Sequence, residues 1–426
     1  MFCEFMINDL EKILKPKNSF HSQELIRGVS IDSRRTKPGE LFFALKGEHT
    51  DGHLYLNDAL KRGAVGCVVE KSMNTEKEII VDDTLFALGE FARFYRSRFH
   101  PCTIAITGTN GKTTVKNLIA KILEKKFRIL YTKKNYNSLI GVPLTIIELN
   151  GNEEFLVLEM GTSNPGEIKR LCEIARPDIG VITNIGPGHL KGLKSLEGVR
   201  EEKLSLIHAL PDNGFAVLGE NVTDEISQRF IKFSLNDCKD IRLTEYGSHF
   251  TYKEKKFFTP LLGLANVYNC LAAIIVTTML NIDYQTQYTA LTETAPTPGR
   301  MEPLWLKNLL IINDTYNANP ASMKNALNFV NEIKRRKIVV LGDMLELGEN
   351  SKELHIEIGE YAHRIGALLL TYGTDAKYYG GKHFKDRKKL LQYLLKKIEG
   401  NEVVLFKASR ALQFELIVNE LMKELR

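Results

Sequence analysis

The sequence has 426 residues, of which 43% are hydrophobic and 26% charged, and a formal net charge of +6. This length exceeds that of a single core and predicts two to four domains with an ordinary globular composition. The mild positive charge suits anionic small molecules and does not indicate a nucleic-acid partner. No apolar run approaches the ~20 residues that a membrane-spanning helix needs, so we expect no membrane insertion.

The first residues of the sequence include several acids. Glu4, Asp9 and Glu11 stand where a secretory signal peptide would carry positive charge, so we expect a cytoplasmic protein. The six cysteines are more than thirty residues apart. That spacing excludes zinc motifs and C-x-x-C pairs and is typical of single buried thiols.

Residues 1–82 are predicted to form a small α/β domain. The predicted elements are a helix at 10–14, strands at 28–31, 41–45 and 66–69, and a helix at 55–62. Ser33 and Arg34 directly follow the first of these strands. A guanidinium there suits a substrate phosphate or a uracil edge, and an ordinary surface arginine in a turn explains the same residues equally well.

Residues 83–298 are predicted to form a second domain that opens with a helix at 83–98. Strands and helices then alternate, which predicts a mostly parallel sheet whose ligands gather at the carboxyl ends of the strands. A small antiparallel insert is expected between 241 and 262. A helix after Asn269 leads to a proline-rich break near Gly299, where we predict the second domain boundary and a hinge.

Within this domain an apolar strand at 104–107 runs into a glycine turn and the start of a helix. The bare N–H groups of such a turn face an incoming phosphate, and Lys112 adds a full charge that has little packing use in an ordinary corner. Thr113 is placed to ligate a phosphate-bound Mg²⁺. The strict P-loop has a glycine where Ile106 stands, so this is a shortened variant. The predicted phosphate-binding set is Gly108, Thr109, Asn110, Gly111, Lys112, Thr113 and Thr114.

Three more polar residues are candidates for the same site. Glu159 closes an apolar strand at 154–160 as a Walker-B-like acid does, unless its carboxylate points to solvent. His189 follows a glycine turn that presents its ring, either as a metal or phosphate ligand or as a structural partner. Lys203 lies on a predicted helix beside two glutamates, and the pattern alone does not separate it from a surface lysine.

From residue 299 to 426 the alternation of strands and helices restarts. It predicts a second doubly wound domain, with polar loops after strands at 314–320 and 407–410. No phosphate-binding glycine pattern occurs in it, so we expect a substrate domain or a lid. The basic stretch at 382–397 is predicted to be the solvated face of a helix with leucines on its inner face.

Three motifs together resemble the Mur ligase family of ATP-dependent amide-bond ligases. They are T-G-T-N-G-K-T-T at 107–114, N-D-T-Y-N-A-N-P at 313–320 and L-G-D-M-L-E-L-G-E at 341–349. Shorter matches, such as I-D-S-R at 31–34 and P-G-R-M-E at 298–302, extend the resemblance over essentially the whole chain. It implies three α/β domains: an N-terminal one that binds a UDP-sugar-peptide, a central P-loop-type one that binds ATP, and a C-terminal Rossmann-like one that binds the acceptor and closes.

The resemblance also implies roles at the matching positions. Lys112 neutralises phosphate charge, while Thr113 and Glu159 hold a first Mg²⁺ and His189 a second. Lys203 falls where the family has an N-carboxylated lysine, which would be a metal-bridging anion.

Further roles follow from the other motifs. Asn269 matches an adenine-contacting asparagine, and Arg300 and Asp314 match residues that reach the γ-phosphate and the ribose on domain closure. The implied catalytic set is Lys112, His189, Lys203 and Arg300. The implied substrate-binding set is Ser33, Arg34, Asn135, Asn137, Ser138, Asn317 and Asn319.

Within the family the motifs are most similar to those of members that add D-alanyl-D-alanine to UDP-N-acetylmuramoyl-tripeptide, through an acyl phosphate, in peptidoglycan precursor synthesis. ATP and two Mg²⁺ ions are the implied cofactors, and we expect a monomer. Ligases that add diaminopimelate or lysine usually carry a D-Y-A-H-T-P-D-like loop at 316–320, and folylpolyglutamate synthases usually carry D-G-A-H-N-P. Another ligase of the family and an inactive nucleotide-binding scaffold are the alternatives.

Overall fold

The computed structural model describes residues 5–19, 24–47, 50–75, 77–222 and 226–426. Glu4 and Cys3 lie outside these ranges, and the other five cysteines are free thiols. Within the described ranges no helix is both long and apolar enough to cross a bilayer.

The N-terminal part contains one parallel sheet and a short antiparallel pair. Its elements are β1 (Phe5–Met6), α1 (Leu10–Leu14), β2 (Leu25–Ile26), β3 (Gly28–Ser30), β4 (Glu40–Phe43), α2 (Leu56–Lys61), β5 (Gly66–Val69) and β6 (Glu78–Ile80). The sheet has the order β3-β4-β5-β6. Successive side chains of a strand point to opposite faces, so Phe43 packs in one core with Phe91, while Phe42 packs on the other face with Leu56 and Ala59.

The central part is built on a six-stranded parallel sheet. Its elements are α3 (Thr84–Arg96), β7 (Cys102–Thr107), α4 (Lys112–Leu123), β8 (Ile129–Tyr131), α5 (Gly141–Ile146), β9 (Phe155–Glu159), α6 (Glu167–Ala175), β10 (Ile179–Ile182), α7 (Leu190–Leu193), α8 (Leu196–His208), β11 (Phe215–Gly219) and β12 (Arg229–Phe233). The strand order is β12-β11-β10-β7-β9-β8. Since β7, β9 and β10 are neighbours and parallel, their carboxyl ends meet at one edge.

Helix α3 joins the N-terminal and central sheets. Asp83 caps it by accepting a hydrogen bond from the backbone N–H of Phe86 at 2.8 Å. Leu88, Phe91 and Tyr95 are fully buried in a core that both parts share. The domain boundary at 82/83 therefore stays a prediction, because this helix packs on both sides of it.

An antiparallel insert and two helices follow the central sheet. They are β13 (Cys238–Thr244), β14 (Gly247–Tyr252), β15 (Lys255–Thr259), α9 (Leu264–Met279) and α10 (Tyr284–Thr292). The prediction that a helix begins after Asn269 is wrong, because α9 already begins at Leu264. The apolar residues of α9 pack against α4. Asn266 and Asn269 lie inside the helix, about one turn apart, and Nδ2 of Asn269 donates to Oδ1 of Asn266 at 3.2 Å.

The C-terminal part has a second six-stranded sheet. Its elements are β16 (Glu302–Leu306), β17 (Leu309–Asp314), α11 (Pro320–Glu332), β18 (Arg336–Gly342), α12 (Ser351–Arg364), β19 (Leu368–Tyr372), β20 (Lys382–Phe384), α13 (Arg387–Leu395), β21 (Glu402–Lys407) and α14 (Glu415–Glu424). The order is β16-β17-β21-β18-β19-β20, parallel except for the edge strand β16. Separate cores cover its two faces, which confirms the predicted doubly wound α/β class.

The basic stretch at 382–397 is only partly helical. Its first three residues form the edge strand β20, and α13 begins at Arg387 after the cap Asp386. The inner face is apolar as predicted, with Leu390 and Leu394 fully buried.

Candidate functional site

The turn between β7 and α4 is the predicted phosphate-binding loop. Gly111 has φ +84°, and a Cβ at this position would lie 2.4 Å from Oδ1 of Asn269, so only glycine fits. Because Gly111 caps α4 without a side chain, the first N–H groups of the helix are open to a ligand. The turn and the start of the helix therefore lie where the sequence predicts them, and phosphate binding by this loop stays a prediction.

The strand next to β7 holds this loop in shape. The backbone N–H of Thr109 donates to the carbonyl of Asn184 at 3.0 Å, and that of Asn110 donates to the Asn184 side chain at 3.0 Å. The Thr183 hydroxyl bonds the Asn110 carbonyl at 2.6 Å. The loop conformation thus depends on residues that follow β10.

Lys112 folds back over the loop that precedes it. Its Nζ donates to the carbonyls of Gly108 at 2.8 Å and Thr109 at 3.2 Å. Burial lowers the pKa of this lysine, and the nearby carboxylate of Glu159 acts in the opposite direction. The ammonium is held where an anion entering the loop would meet it.

Glu159 ends β9 beside the loop and is 2% exposed, so the solvent-facing alternative is wrong. Its Oε1 accepts a hydrogen bond from Nδ2 of Asn137 at 2.8 Å. Its Oε2 is buried and has no hydrogen-bond partner among the residues that the structure describes. Buried carboxylate oxygens are normally paired, so an unpaired one aimed into a site fits a missing cation.

His189 and Lys203 are the other two predicted metal ligands. Nδ1 of His189 lies 3.2 Å from Oε2 of Glu346, and this hydrogen bond lowers the pKa of the Glu346 carboxyl. Lys203 is 2% exposed, so it is not a surface lysine. Burial lowers its pKa well below the ordinary lysine value, and the charge of Lys112 lowers it further.

The predicted oxygen ligands fit Mg²⁺, whereas Lys203 in its unmodified form does not. The Thr113 hydroxyl and the free Oε2 of Glu159 are ligands of the type that Mg²⁺ prefers, whereas an unmodified Lys203 has no oxygen to offer. Anywhere in the described ranges, this site included, no three His, Cys, Asp or Glu side chains converge on a possible metal position.

Residues of the C-terminal part reach the loop directly. Nη2 of Arg300 donates to the Thr113 hydroxyl at 3.0 Å, and its guanidinium lies 3.9 Å from the ring centroid of Tyr316. Nδ2 of Asn319 donates to Oδ1 of Asn110 at 2.8 Å. These contacts bring residues that are some two hundred positions apart onto one phosphate-binding loop.

Asp314 is fixed by the register of the C-terminal sheet. It stands directly opposite Lys407 on the neighbouring parallel strand, and Nζ of Lys407 lies 2.6 Å from its Oδ2. The backbone N–H of Met301 donates to its Oδ1 at 3.1 Å. Sequence reasoning missed Lys407, although its place at the end of a predicted strand was an available signal.

Two adjoining cavities contain most of the predicted site. The larger cavity, about 460 Å³, is lined by Thr109, Asn110, Gly111, Lys112, Thr113, Asn135, Asn137, Ser138, Glu159, His189, Arg300 and Asn317 among the predicted residues. The smaller cavity, about 120 Å³, is lined by Asn110, Gly111, Thr114, Asn269, Arg300, Asp314, Asn317 and Asn319. Neither lining includes Gly108, Lys203, Ser33 or Arg34.

The two predicted N-terminal residues stand apart from these cavities. Ser33 is buried, and Arg34 is exposed and paired with Asp32, its Nη2 lying 2.9 Å from Oδ2. This pair lowers the pKa of Asp32. The sequence missed Tyr316, which lines both cavities, because nothing local indicates that its ring stacks on a distant arginine.

Comparison with known proteins gives matches along most of the chain. Three family models match: "Mur ligase family, catalytic domain" at 25–96, "Mur ligase middle domain" at 106–277 and "Mur ligase, glutamate ligase domain" at 299–410. A UDP-N-acetylmuramoyl-tripeptide--D-alanyl-D-alanine ligase from Bacillus subtilis is 36% identical over 436 residues, covering 95% of each chain.

Solved structures agree with the sequence comparison. MurF from Acinetobacter baumannii has a TM-score of 0.92 at 27% identity and covers 99% of each chain. MurF ligase from Thermotoga maritima, solved in complex with ADP, has a TM-score of 0.87 at 30% identity and covers 94% of this chain and 98% of its own. The chain therefore belongs to the Mur ligase family.

Proposed function

We propose that this chain is an ATP-dependent ligase that joins D-alanyl-D-alanine to UDP-N-acetylmuramoyl-tripeptide and releases ADP and phosphate. Similarity over nearly the full length to ligases of that name supports the choice of substrates. The observation that carries the proposal is the contact between Arg300 and Thr113, because it brings a C-terminal guanidinium to the phosphate-binding loop of the central part.

The reaction requires two anions to meet, the tripeptide carboxylate and the triphosphate of ATP. Lys112 and Arg300 offset their repulsion and stabilise the charge that develops as the γ-phosphoryl group passes to the carboxylate. The acyl phosphate so formed is attacked by the amino group of the dipeptide through a tetrahedral intermediate that expels phosphate. Because an acyl phosphate hydrolyses readily, residues such as Tyr316 and Asn319 act by excluding water as the C-terminal part closes.

The nucleotide base and ribose are assigned to the smaller cavity. Its wall combines the amide of Asn269 with apolar Leu262 and Ala326, which suits a flat heterocycle that carries polar edges. Asp314, held by Lys407, is the acceptor for ribose hydroxyls. A similar structure of this family that was solved with ADP supports nucleotide binding by this chain.

Mg²⁺ is assigned to the Thr113 hydroxyl and the unpaired Oε2 of Glu159. When bound, the ion neutralises phosphate charge and polarises the transferred group. A second Mg²⁺ at His189 requires Lys203 in carboxylated form, because the carbamate supplies the missing oxygens. The lowered pKa of Lys203 favours the neutral amine, which is the form that reacts with CO₂.

The remaining assignments follow the three predicted domains, 1–82, 83–298 and 299–426. We assign the uridine end of the substrate to Ser33 and Arg34, its sugar-peptide end to the wall of the larger cavity, and the dipeptide to the C-terminal domain near Asn317. The wall residues are Asn135, Asn137 and Ser138.

We further assign the enzyme to the cytoplasm, where ATP and UDP-linked precursors are available, acting as a monomer and without nucleic acid. The mild net charge of +6 is in keeping with small anionic substrates.

Phosphate release by the purified protein tests the proposal. With ATP, Mg²⁺ and UDP-N-acetylmuramoyl-tripeptide, release is expected only after D-alanyl-D-alanine is added, together with a new amide product by mass spectrometry. Lys112→Ala is the matched inactive control. Release that depends on glutamate or diaminopimelate would instead assign the chain to another ligase of the family, and no ATP-dependent product with any acceptor would favour a scaffold.

A further inference from the structure

Glu202 is a buried carboxylate that the reaction described above does not use. It lies on α8 directly before Lys203 and is 4% exposed. Burying a carboxylate costs free energy unless hydrogen bonds satisfy its oxygens, and three hydrogen-bond donors contact the carboxylate of Glu202. All three belong to a single segment, the loop after Glu159 and the start of α6.

The contacts of Glu202 replace a missing helix cap. Oε2 accepts the backbone N–H of Gly166 at 2.6 Å, and Oε1 accepts that of Ile168 at 2.7 Å. Gly166 is the N-cap of α6 and has no side chain to satisfy these N–H groups itself. The Thr162 hydroxyl lies 3.1 Å from Oε1 and 2.9 Å from the carbonyl oxygen of Asn164, so its one proton can point to either acceptor.

The segment that Glu202 holds forms part of the larger cavity. Gly161, Thr162, Ser163 and Glu167 all line it, and none of them lines the smaller cavity. The backbone N–H of Gly161 donates to the carbonyl of Asn137 at 2.8 Å. A path of direct contacts therefore runs from Glu202 through this loop to a residue on the wall assigned to the sugar-peptide substrate.

We propose that Glu202 is a positioning residue, which fixes the loop 161–163 against Asn137 and thereby sets the affinity for the UDP-linked substrate and not for the nucleotide. This inference rests on the proposed function, because it takes the wall of the larger cavity as the sugar-peptide site. The hydrogen bonds of Glu202 go to this loop and to the start of α6, so we place its effect there. Its charge also opposes the lowering of the pKa of Lys203.

Glu202→Gln is the sharpest test because it preserves side-chain shape. The amide keeps one acceptor oxygen but turns an NH₂ group toward one of the two backbone donors, so that N–H loses its partner. Glu201→Gln is the matched control, since Glu201 is the adjacent carboxylate on α8 and is exposed. Steady-state kinetics are measured with each substrate varied in turn, and the Kd for ADP is measured separately.

In the Glu202→Gln variant, the KM for UDP-N-acetylmuramoyl-tripeptide should rise about tenfold, the loss expected for one charged hydrogen bond. The KM for ATP, the Kd for ADP and kcat should change less than about twofold, and Glu201→Gln should match the wild type. Amide hydrogen exchange should quicken at Gly166 or Ile168 and not in the phosphate-binding loop.

Other outcomes would overturn the assignment. Unchanged kinetics in Glu202→Gln, an equal rise of every KM, or a fall in kcat alone would each contradict it, the last because a merely structural defect lowers the active fraction. If Glu202→Gln does not fold, Thr162→Ala removes the hydroxyl contacts with Glu202 and with the carbonyl of Asn164 and should raise the same KM by a smaller factor. A wild-type chain without turnover would contradict the proposed function instead, whereas an active wild type with an unaltered variant would contradict only the role of Glu202.

Discussion

The indole of Trp305 stacks on the ring of Tyr246, with 5.3 Å between the ring centroids and 11° between the planes. Trp305 lies on β16 of the C-terminal sheet, and Tyr246 lies in the turn between β13 and β14 of the insert. Beside them Arg335 pairs with Glu245 through two contacts, Nε to Oε2 at 2.8 Å and Nη2 to Oε1 at 2.9 Å. These contacts therefore hold the insert against the C-terminal sheet. The residues that make them are distant in sequence from the phosphate-binding loop.

Tyr246→Ala should expose the indole of Trp305 to water and shift its emission to longer wavelengths. Trp305 is the single tryptophan of the sequence, so the signal has one source. The lost ring pair should lower the free energy of unfolding by about 1 kcal/mol. Tyr246→Phe keeps the ring and serves as the control. Emission from Tyr246→Ala that matches the wild type would show that the stacking does not persist in solution.

Lys407→Met should destabilise the protein strongly and weaken ADP binding. It leaves the buried carboxylate of Asp314 without its cation, and breaking a buried ion pair costs about 3–5 kcal/mol. Adding Asp314→Asn should restore much of the free energy of unfolding, measured with urea. Lys324→Met, which breaks an exposed pair with Glu357, should cost less than about 1 kcal/mol. Equal losses of unfolding free energy in Lys407→Met and Lys324→Met would contradict a buried ion pair between Lys407 and Asp314.

The buried side chain of Lys116 should make the free energy of unfolding depend on pH. It is 2% exposed, and its Nζ bonds the Thr132 carbonyl at 2.6 Å, while burial lowers its pKa below 10.5. The unfolded chain keeps this proton to higher pH, so folding releases it between the two pKa values and stability rises with pH there. The free energy of unfolding of the wild type minus that of Lys116→Met should therefore grow as pH rises toward 10.5, by at most about 1.4 kcal/mol per unit.

Urea unfolding at several pH values between 7 and 10.5 measures this difference. Lys121→Met, on the same helix but less buried, is the control and should give a difference that does not grow in the same way. A difference for Lys116→Met that stays flat or falls with pH would contradict the lowered pKa.

Gly111→Ala should abolish ADP binding and leave the fold intact. The added Cβ would meet Oδ1 of Asn269 at 2.4 Å in a backbone conformation with φ +84°. Gly366→Ala is a matched control, since Gly366 has φ +70° and open space around it. That variant should lose about 1 kcal/mol of stability from backbone strain alone and bind ADP normally. Isothermal titration with ADP separates the two, and normal binding by Gly111→Ala would show that this loop does not hold the nucleotide.

Local patterns predicted the elements of this protein well. The apolar strands, the glycine turn before Lys112 and the alternation of strands and helices lie within a few residues of the observed bounds, because each depends on neighbours in the chain. The sequence predicts that α9 begins after Asn269, later than the observed start at Leu264, and the cause is a tertiary contact. Asn266 and Asn269 look like loop residues, but they are buried and bonded to each other in the first turns of the helix.

Burial and long-range pairing were beyond the reach of the sequence. Lys203 and Glu202 have the appearance of a charged surface segment, and only the packing of α8 on α6 shows that both are buried. Asp314 faces Lys407 because of a sheet register that the spacing of 93 positions does not reveal.

Sequence patterns were enough to predict the parts of the candidate site: a phosphate loop ending in Lys112, an acid at the end of the next-but-one strand, and the family motifs that specify a ligase. How those parts meet depends on tertiary packing. Arg300, just before β16, reaches Thr113, and Asn319, after β17, reaches Asn110, because these segments meet the loop after β7. Sequence periodicity fixes which face of an element is apolar, whereas the distance between faces of different sheets depends on how whole layers pack.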